Sequence, residues 1–176
     1  MPFTPYHLGP ALAVGLPLRR YLHAPTFILG NIVLDLEGFA VIFFGLSYPL
    51  HGYLHTVLFA IVVGLLLGMA MYALEKPMQP LYRKIQLETG KPLKLPSFLL
   101  AGVLGAFLHV LFDAFLYSEM QPFFPLTLNP LLDFGIPMSS VYSFCSWLGI
   151  IGILYYGALF AYSFYKSHKA SSNSLK

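Results

Sequence analysis

Four apolar stretches dominate the chain, at residues 26–46, 54–74, 97–117 and 141–165, with more polar runs between them. Each approaches or exceeds the roughly 20 residues that a helix needs to cross a hydrocarbon core. They predict four membrane-spanning α-helices. A shorter apolar segment, residues 5–18, comes first. Thr4-Pro5 opens it as an N-cap followed by proline at the first helical position, whereas Pro10 and Pro17 argue against a regular full-length helix. It reads as a short N-terminal helix dipping into the bundle, with an interfacial helix as the alternative. Residues 75–96 read as a polar loop, residues 118–140 as a longer loop rich in Pro and Phe, and residues 166–176 as a polar tail. Ala60, Gly64 and Gly68 in the second span, with Ala101/Gly105 and Gly102/Ala106 in the third, predict close helix packing within the bundle.

Charge orients this pattern. The ten basic residues fall at Arg19/Arg20, within residues 76–94, and in the tail. The positive-inside rule puts these clusters in the cytoplasm and loop 118–140 outside, so both termini are expected to be cytoplasmic and the protein multi-pass in the plasma (inner) membrane. Only 10% of residues are charged and 57% are hydrophobic, which excludes an ordinary soluble domain with about 25% charged residues. The 176 residues suffice for a single membrane-embedded helical domain. A net charge of +3, dispersed over loops, gives no nucleic-acid footprint. The single cysteine, Cys145, rules out a disulfide within the chain, and no basic n-region of a signal peptide precedes the first apolar stretch.

The apolar segments contain ionisable residues that insertion scales penalise by about 2.5–3.5 kcal/mol each for Asp, Lys or Arg at the centre of a span. His51-x-x-x-His55 opens the second span and His109-x-x-x-Asp113 lies late in the third. Four-residue spacing puts two donors on one helical face, where imidazole and carboxylate suit a divalent metal, zinc first and then manganese or iron. Asp35 and His109 each follow the nearest basic residue by fifteen positions, about 22 Å of helix, and Asp113 and His55 lie at about 28 and 31 Å. These groups, with His7 at about 18 Å, are expected in the outer half of the bundle. Glu37 sits about 200° around a regular helix from Asp35, so only one of them is expected to face the site. His23, Glu119 and Asp133 read as solvated loop residues, and Asn129-Pro130 as a turn. No zincin, nucleophile-elbow, P-loop or dinucleotide signature is present.

The order of His7, Asp35-Leu36-Glu37, His51-x-x-x-His55 and His109-x-x-x-Asp113 resembles the inner-membrane metal-dependent hydrolase family. That family is described as LexA-binding, membrane-associated hydrolases and is distantly similar to zinc-dependent phospholipase C. The resemblance runs to about Pro130 and implies metal ligation by His7, Asp35, His51, His55, His109 and Asp113. Val33-Leu34-Asp35-Leu36-Glu37 stands where the family tends to show Pro-Asp-x-Asp, which leaves the role of Glu37 open between proton transfer and support. The expected function is hydrolysis of a phosphoester in a lipid or amphiphilic substrate, with one or two divalent ions, Asp113 or Asp35 orienting the site and Glu37 as the candidate proton carrier. The alternatives are a proton or ion carrier using the same groups, and a non-catalytic membrane scaffold.

Overall fold

The computed structural model describes residues 5–87 and 92–173, with side chains as far as residue 165. Among these the chain is all-helical: α1 (Leu8–Gly15), α2 (Ala24–Val33), α3 (Asp35–Phe44), α4 (Val57–Lys84), α5 (Leu95–Ala114) and α6 (Met138–Asn173). Four helices are long and apolar enough to cross a membrane, with α2 and α3 counting together as Ala24–Phe44. The others are Val57–Lys84, Leu95–Ala114 and Met138–Tyr165.

Small residues decide how these helices meet. α5 is central, packed on α4 along one side and on α2 along another. A Cβ on Gly64 would lie 2.5 Å from the Val103 Cα, and one on Gly30 would lie 2.8 Å from the Gly102 carbonyl oxygen. Larger residues at these points would force the backbones apart, the close approach predicted from the small-residue spacing. α1 is embedded, not interfacial: Gly9, Pro10, Ala11 and Gly15 are buried. It packs along α6, where a Cβ on Gly152 would lie 2.6 Å from the Leu12 Cβ. Pro10 falls in the first turn of α1, where its missing N–H has no intrahelical partner to lose. The outer face of α6 leaves Trp147, Ile150, Ile153 and Leu154 exposed, as suits a lipid-facing span.

The ends of the bundle differ in chemistry. Arg19 and Arg20 lie at the end of the bundle where α5 begins, just ahead of His23, whose N–H donates to the Ser97 carbonyl and whose ring meets Glu75 of α4 at 3.1 Å. The described chain begins at the opposite end, where Tyr6 lies against Tyr142 and His7 against Asp113. α1 therefore runs in the same direction as α6. The start of the described chain therefore lies away from the basic end, where both termini are expected from the sequence; residues 1–4 and 174–176 lie outside the described residues.

Several boundaries also differ from expectation. α4 continues ten residues into the expected loop and carries Pro77 and Pro80 within the helix. Tertiary contacts override the prolines there: Met71, Tyr82 and Phe98 form a buried cluster with Met78 and Ile85 packed on it. The Tyr156 hydroxyl donates to the Ile85 carbonyl at 2.6 Å. The expected tail is helical through Asn173, so α6 runs on past the apolar stretch. The second span starts later than expected, at Val57, because Thr56 caps it by accepting from the Phe59 N–H.

His23, expected in solvent, is buried. Its Nδ1 accepts from the Thr26 N–H at 3.4 Å and so caps α2. With Nδ1 as acceptor, the proton resides on Nε2 and is directed at Glu75. Burial pushes the His23 imidazole down to about 4. The unfolded chain takes up this proton first, so stability is fully present above about pH 6.5 and is lost as pH falls through about 4. The loss should approach roughly 3 kcal/mol. His23→Asn keeps a capping oxygen and should flatten this part of the profile when unfolding in detergent is followed from pH 7 to 4. Superimposable profiles for the two proteins would contradict the assignment.

Candidate metal centre

The end of α5 supplies the middle of the site. His109 and Asp113, one turn apart, are almost completely buried, and His109 Nε2 lies 3.1 Å from Asp113 Oδ2. The other ring nitrogen, Nδ1, is 2.9 Å from the carbonyl oxygen of Asn31 on α2. A carbonyl only accepts, so Nδ1 carries the proton and the Nε2 lone pair faces Asp113. The Asn31 side chain in turn donates to the Gly105 carbonyl at 3.1 Å, tying α2 to α5 beside the site.

The junction of α2 and α3 brings in two acids. Asp35 is buried, with Oδ1 3.7 Å from His109 Nε2. The helix is irregular here, for the Glu37 N–H bonds to the Leu34 carbonyl at 3.0 Å, the tighter i to i+3 pattern. Such a turn reduces the angle between residues 35 and 37 from about 160° to about 120°. Both acids thereby reach the site, where a regular helix would present only one. Glu37 Oε2 accepts from His55 Nδ1 at 2.8 Å and from the Gly52 N–H at 3.1 Å. Its Oε1 accepts from the Leu54 N–H and the Tyr48 hydroxyl, each at 3.2 Å.

His51 and His55 come from a bend and a 3-10 turn (Tyr53–His55), not from one face of α4. Their rings nevertheless lie 4.9 Å apart. Each directs Nε2 toward Asp113 Oδ2, at 3.9 Å. His51 Nδ1 donates to Glu119 at 2.9 Å, and the ring stacks on Tyr117. The segment before α1 delivers His7, whose Nε2 is 2.9 Å from Asp113 Oδ1 and whose ring stacks on His109 at 4.0 Å.

The six residues expected as ligands are therefore brought together. Their donor atoms form three sets, each within 4.8 Å: His7, His109 and Asp113; Asp35, His55 and His109; His51, His55 and Asp113. His55 Nε2, His109 Nε2 and Asp113 Oδ1 are buried and have no hydrogen-bond partner among the described residues, despite their short separations. Buried polar atoms of that kind are costly unless something binds them. Their convergence fits a divalent ion in donor type and spacing. Burial lowers the His7 imidazole, favouring the neutral form that ligates. Burial acts to raise the Glu119 carboxyl, but the His51 hydrogen bond, a backbone hydrogen bond and the charge of His51 together outweigh it and hold the acid below its ordinary value.

Three contributions escaped the sequence reading. Glu119 is not a free loop acid, and the Asn31 carbonyl and the Glu37 network have no signature in residue spacing. Asn129 does more than turn the chain, since its amide donates to the carbonyls of Ala114 and Tyr117 and closes the end of α5 below the site. Asp133 lies on a short 3-10 turn (Leu132–Phe134) in the neighbouring groove.

No curated protein and no solved structure matches the chain. One family model matches residues 1–173, and the chain belongs to that family, DUF4184, a domain of unknown function.

Proposed function

We propose that this protein is a membrane-bound metal-dependent hydrolase whose centre lies in the outer half of the bilayer. Its substrate is a phosphoester of a lipid or another amphiphile. One observation carries the reading. Three of the four imidazoles commit Nδ1 to Glu37, Glu119 or the Asn31 carbonyl and aim Nε2 at the same carboxylate, Asp113. Fixing the tautomer from outside in this way is how metal sites orient histidine ligands. The resemblance to inner-membrane metal-dependent hydrolases supports the same conclusion, and the basic end of the bundle supports a cytoplasmic face opposite the centre.

Two of the donor sets, His7/His109/Asp113 and His51/His55/Asp113, share only Asp113, whose Oδ1 faces His7 and whose Oδ2 faces His51, His55 and His109. These residues would hold two ions, zinc by preference for N/O donors, with Asp35 completing the set. Such ions supply Lewis acidity and an activated water nucleophile. The chain's own groups do the positioning. Asp113 stands between the sets, while Glu37 and Glu119 hold protons on His55 Nδ1 and His51 Nδ1. Glu37 already accepts four hydrogen bonds, so its role is to position His55 and not to shuttle protons.

Purified protein should hold roughly one or two divalent ions. His109→Ala or Asp113→Ala should lower that number, and His168→Ala should leave it unchanged. Glu37→Ala should weaken metal affinity by about 10–100-fold. Elemental analysis with chelator competition reads both, and full occupancy in a His55→Ala/His109→Ala double variant would contradict the centre.

Turnover separates the hydrolase from a carrier built on the same groups. Ester hydrolysis should appear near neutral pH and disappear with chelator. Phospholipid and simple phosphoester substrates, assayed beside ion and proton flux in sealed vesicles, make the comparison. Chelator-resistant flux without hydrolysis would favour the carrier.

A further inference from the structure

A cleft of about 200 Å³ opens beside His51, lined by Tyr48, Tyr53, Glu119, Gln121 and Phe124 among others. His51 is one wall of the cleft and also a donor to the centre, so a group entering beside it passes Glu119. The Glu119 side chain is 45% exposed and so presents its charge to the entrance. Asp133 lines the adjoining groove, which shares Glu119 and Gln121 with the cleft. Aromatic rings make the rest of the wall, with Tyr53 edge-on to Phe124 at 5.0 Å.

What the sequence lacks here matters as much. Residues 21–75 and 95–165 contain no lysine or arginine, and these stretches supply every described residue that lines the two openings. The α-amino group of Met1 lies outside the described residues. Sites that process terminal phosphates place Arg or Lys beside the metal to take up the developing charge. Here four carboxylates, Asp35, Glu37, Asp113 and Glu119, already balance two divalent ions before any substrate arrives. A second charge on the reacting group would be met by Glu119 at the entrance and Asp133 in the adjoining groove, with no lysine or arginine among the described lining residues.

We infer that the cleft selects a reacting group with at most one negative charge, a diester or neutral ester over a terminal phosphate. Glu119 is the specificity-determining residue. The inference rests on the metal-centre reading and narrows its substrate class. Each unit of substrate charge about 6 Å from Glu119 should cost about tenfold in binding at an intermediate dielectric.

Cobalt-loaded full-length protein in detergent provides a test that does not depend on turnover, because the visible spectrum reports anions reaching the centre. Inorganic phosphate at pH 8, a dianion, is compared with dimethyl phosphate, a monoanion. In Glu119→Gln, which keeps an acceptor for His51 Nδ1, phosphate should tighten about tenfold more than dimethyl phosphate. Gln121→Arg adds a cation without touching His51 and should move the ratio in the same direction. Equal changes for both anions in both variants would overturn the charge selection, as would a spectrum that neither anion alters. Wild-type protein that binds no cobalt would instead overturn the metal-centre reading, and this inference with it.

Discussion

A carboxylate buried at the end of a membrane-embedded helix has to be matched by something, and Asp113 is matched by four imidazoles. His7, His51, His55 and His109 all direct Nε2 toward it, at 2.9 to 3.9 Å. Those donors arrive from separate parts of the chain, so the site forms only when α1, the turn before α4, and α5 are packed together. The close approaches at Gly64 and Gly30 are the condition for that packing. Among the described residues α6 contributes no donor to the site, but it holds the α1 segment that carries His7 against the bundle.

Around this centre, hydrogen bonds convert flexible chain into fixed geometry. Residues between α3 and α4 have little regular structure, yet Glu37 ties four groups of that segment together. The Tyr48 hydroxyl both donates to Glu37 and accepts from the Tyr53 N–H at 2.8 Å, closing the segment on itself. Interactions of this kind are stronger in a low-dielectric setting, and they would be lost together if the acid were removed. The rigidity of His55 is therefore a property of Glu37, one helix away.

Much of this was legible in the residues. Four apolar runs of spanning length predicted four spans, and the small-residue spacing in the second and third spans predicted close packing within the bundle. Paired histidine and aspartate spacings pointed to His51, His55, His109 and Asp113, depth counted from the basic clusters added Asp35, and the family resemblance implied the full set with His7. The missing parts have physical causes. Spacing arguments assume regular helices, and the site is built where helices are irregular: at Leu34, and in the bend and 3-10 turn that hold His51 and His55. Backbone acceptors such as the Asn31 carbonyl have no sequence signature at all. Glu119 and His23 looked solvated because flanking polarity was the guide, whereas long-range contacts with His51 and Glu75 decide their surroundings. Pro77 and Pro80 fall in a stretch read as a polar loop, but the Met71–Tyr82–Phe98 cluster outweighs their local cost to the helix.

The central claim is that the Nε2 atoms of these histidines bind metal. X-ray absorption at the zinc edge of the loaded protein measures that coordination directly. The account predicts nitrogen and oxygen scatterers at about 2.0–2.1 Å with the outer-shell pattern of imidazole, weakened in the His55→Ala/His109→Ala variant. Sulfur scattering at about 2.3 Å, or a spectrum without imidazole, would contradict it.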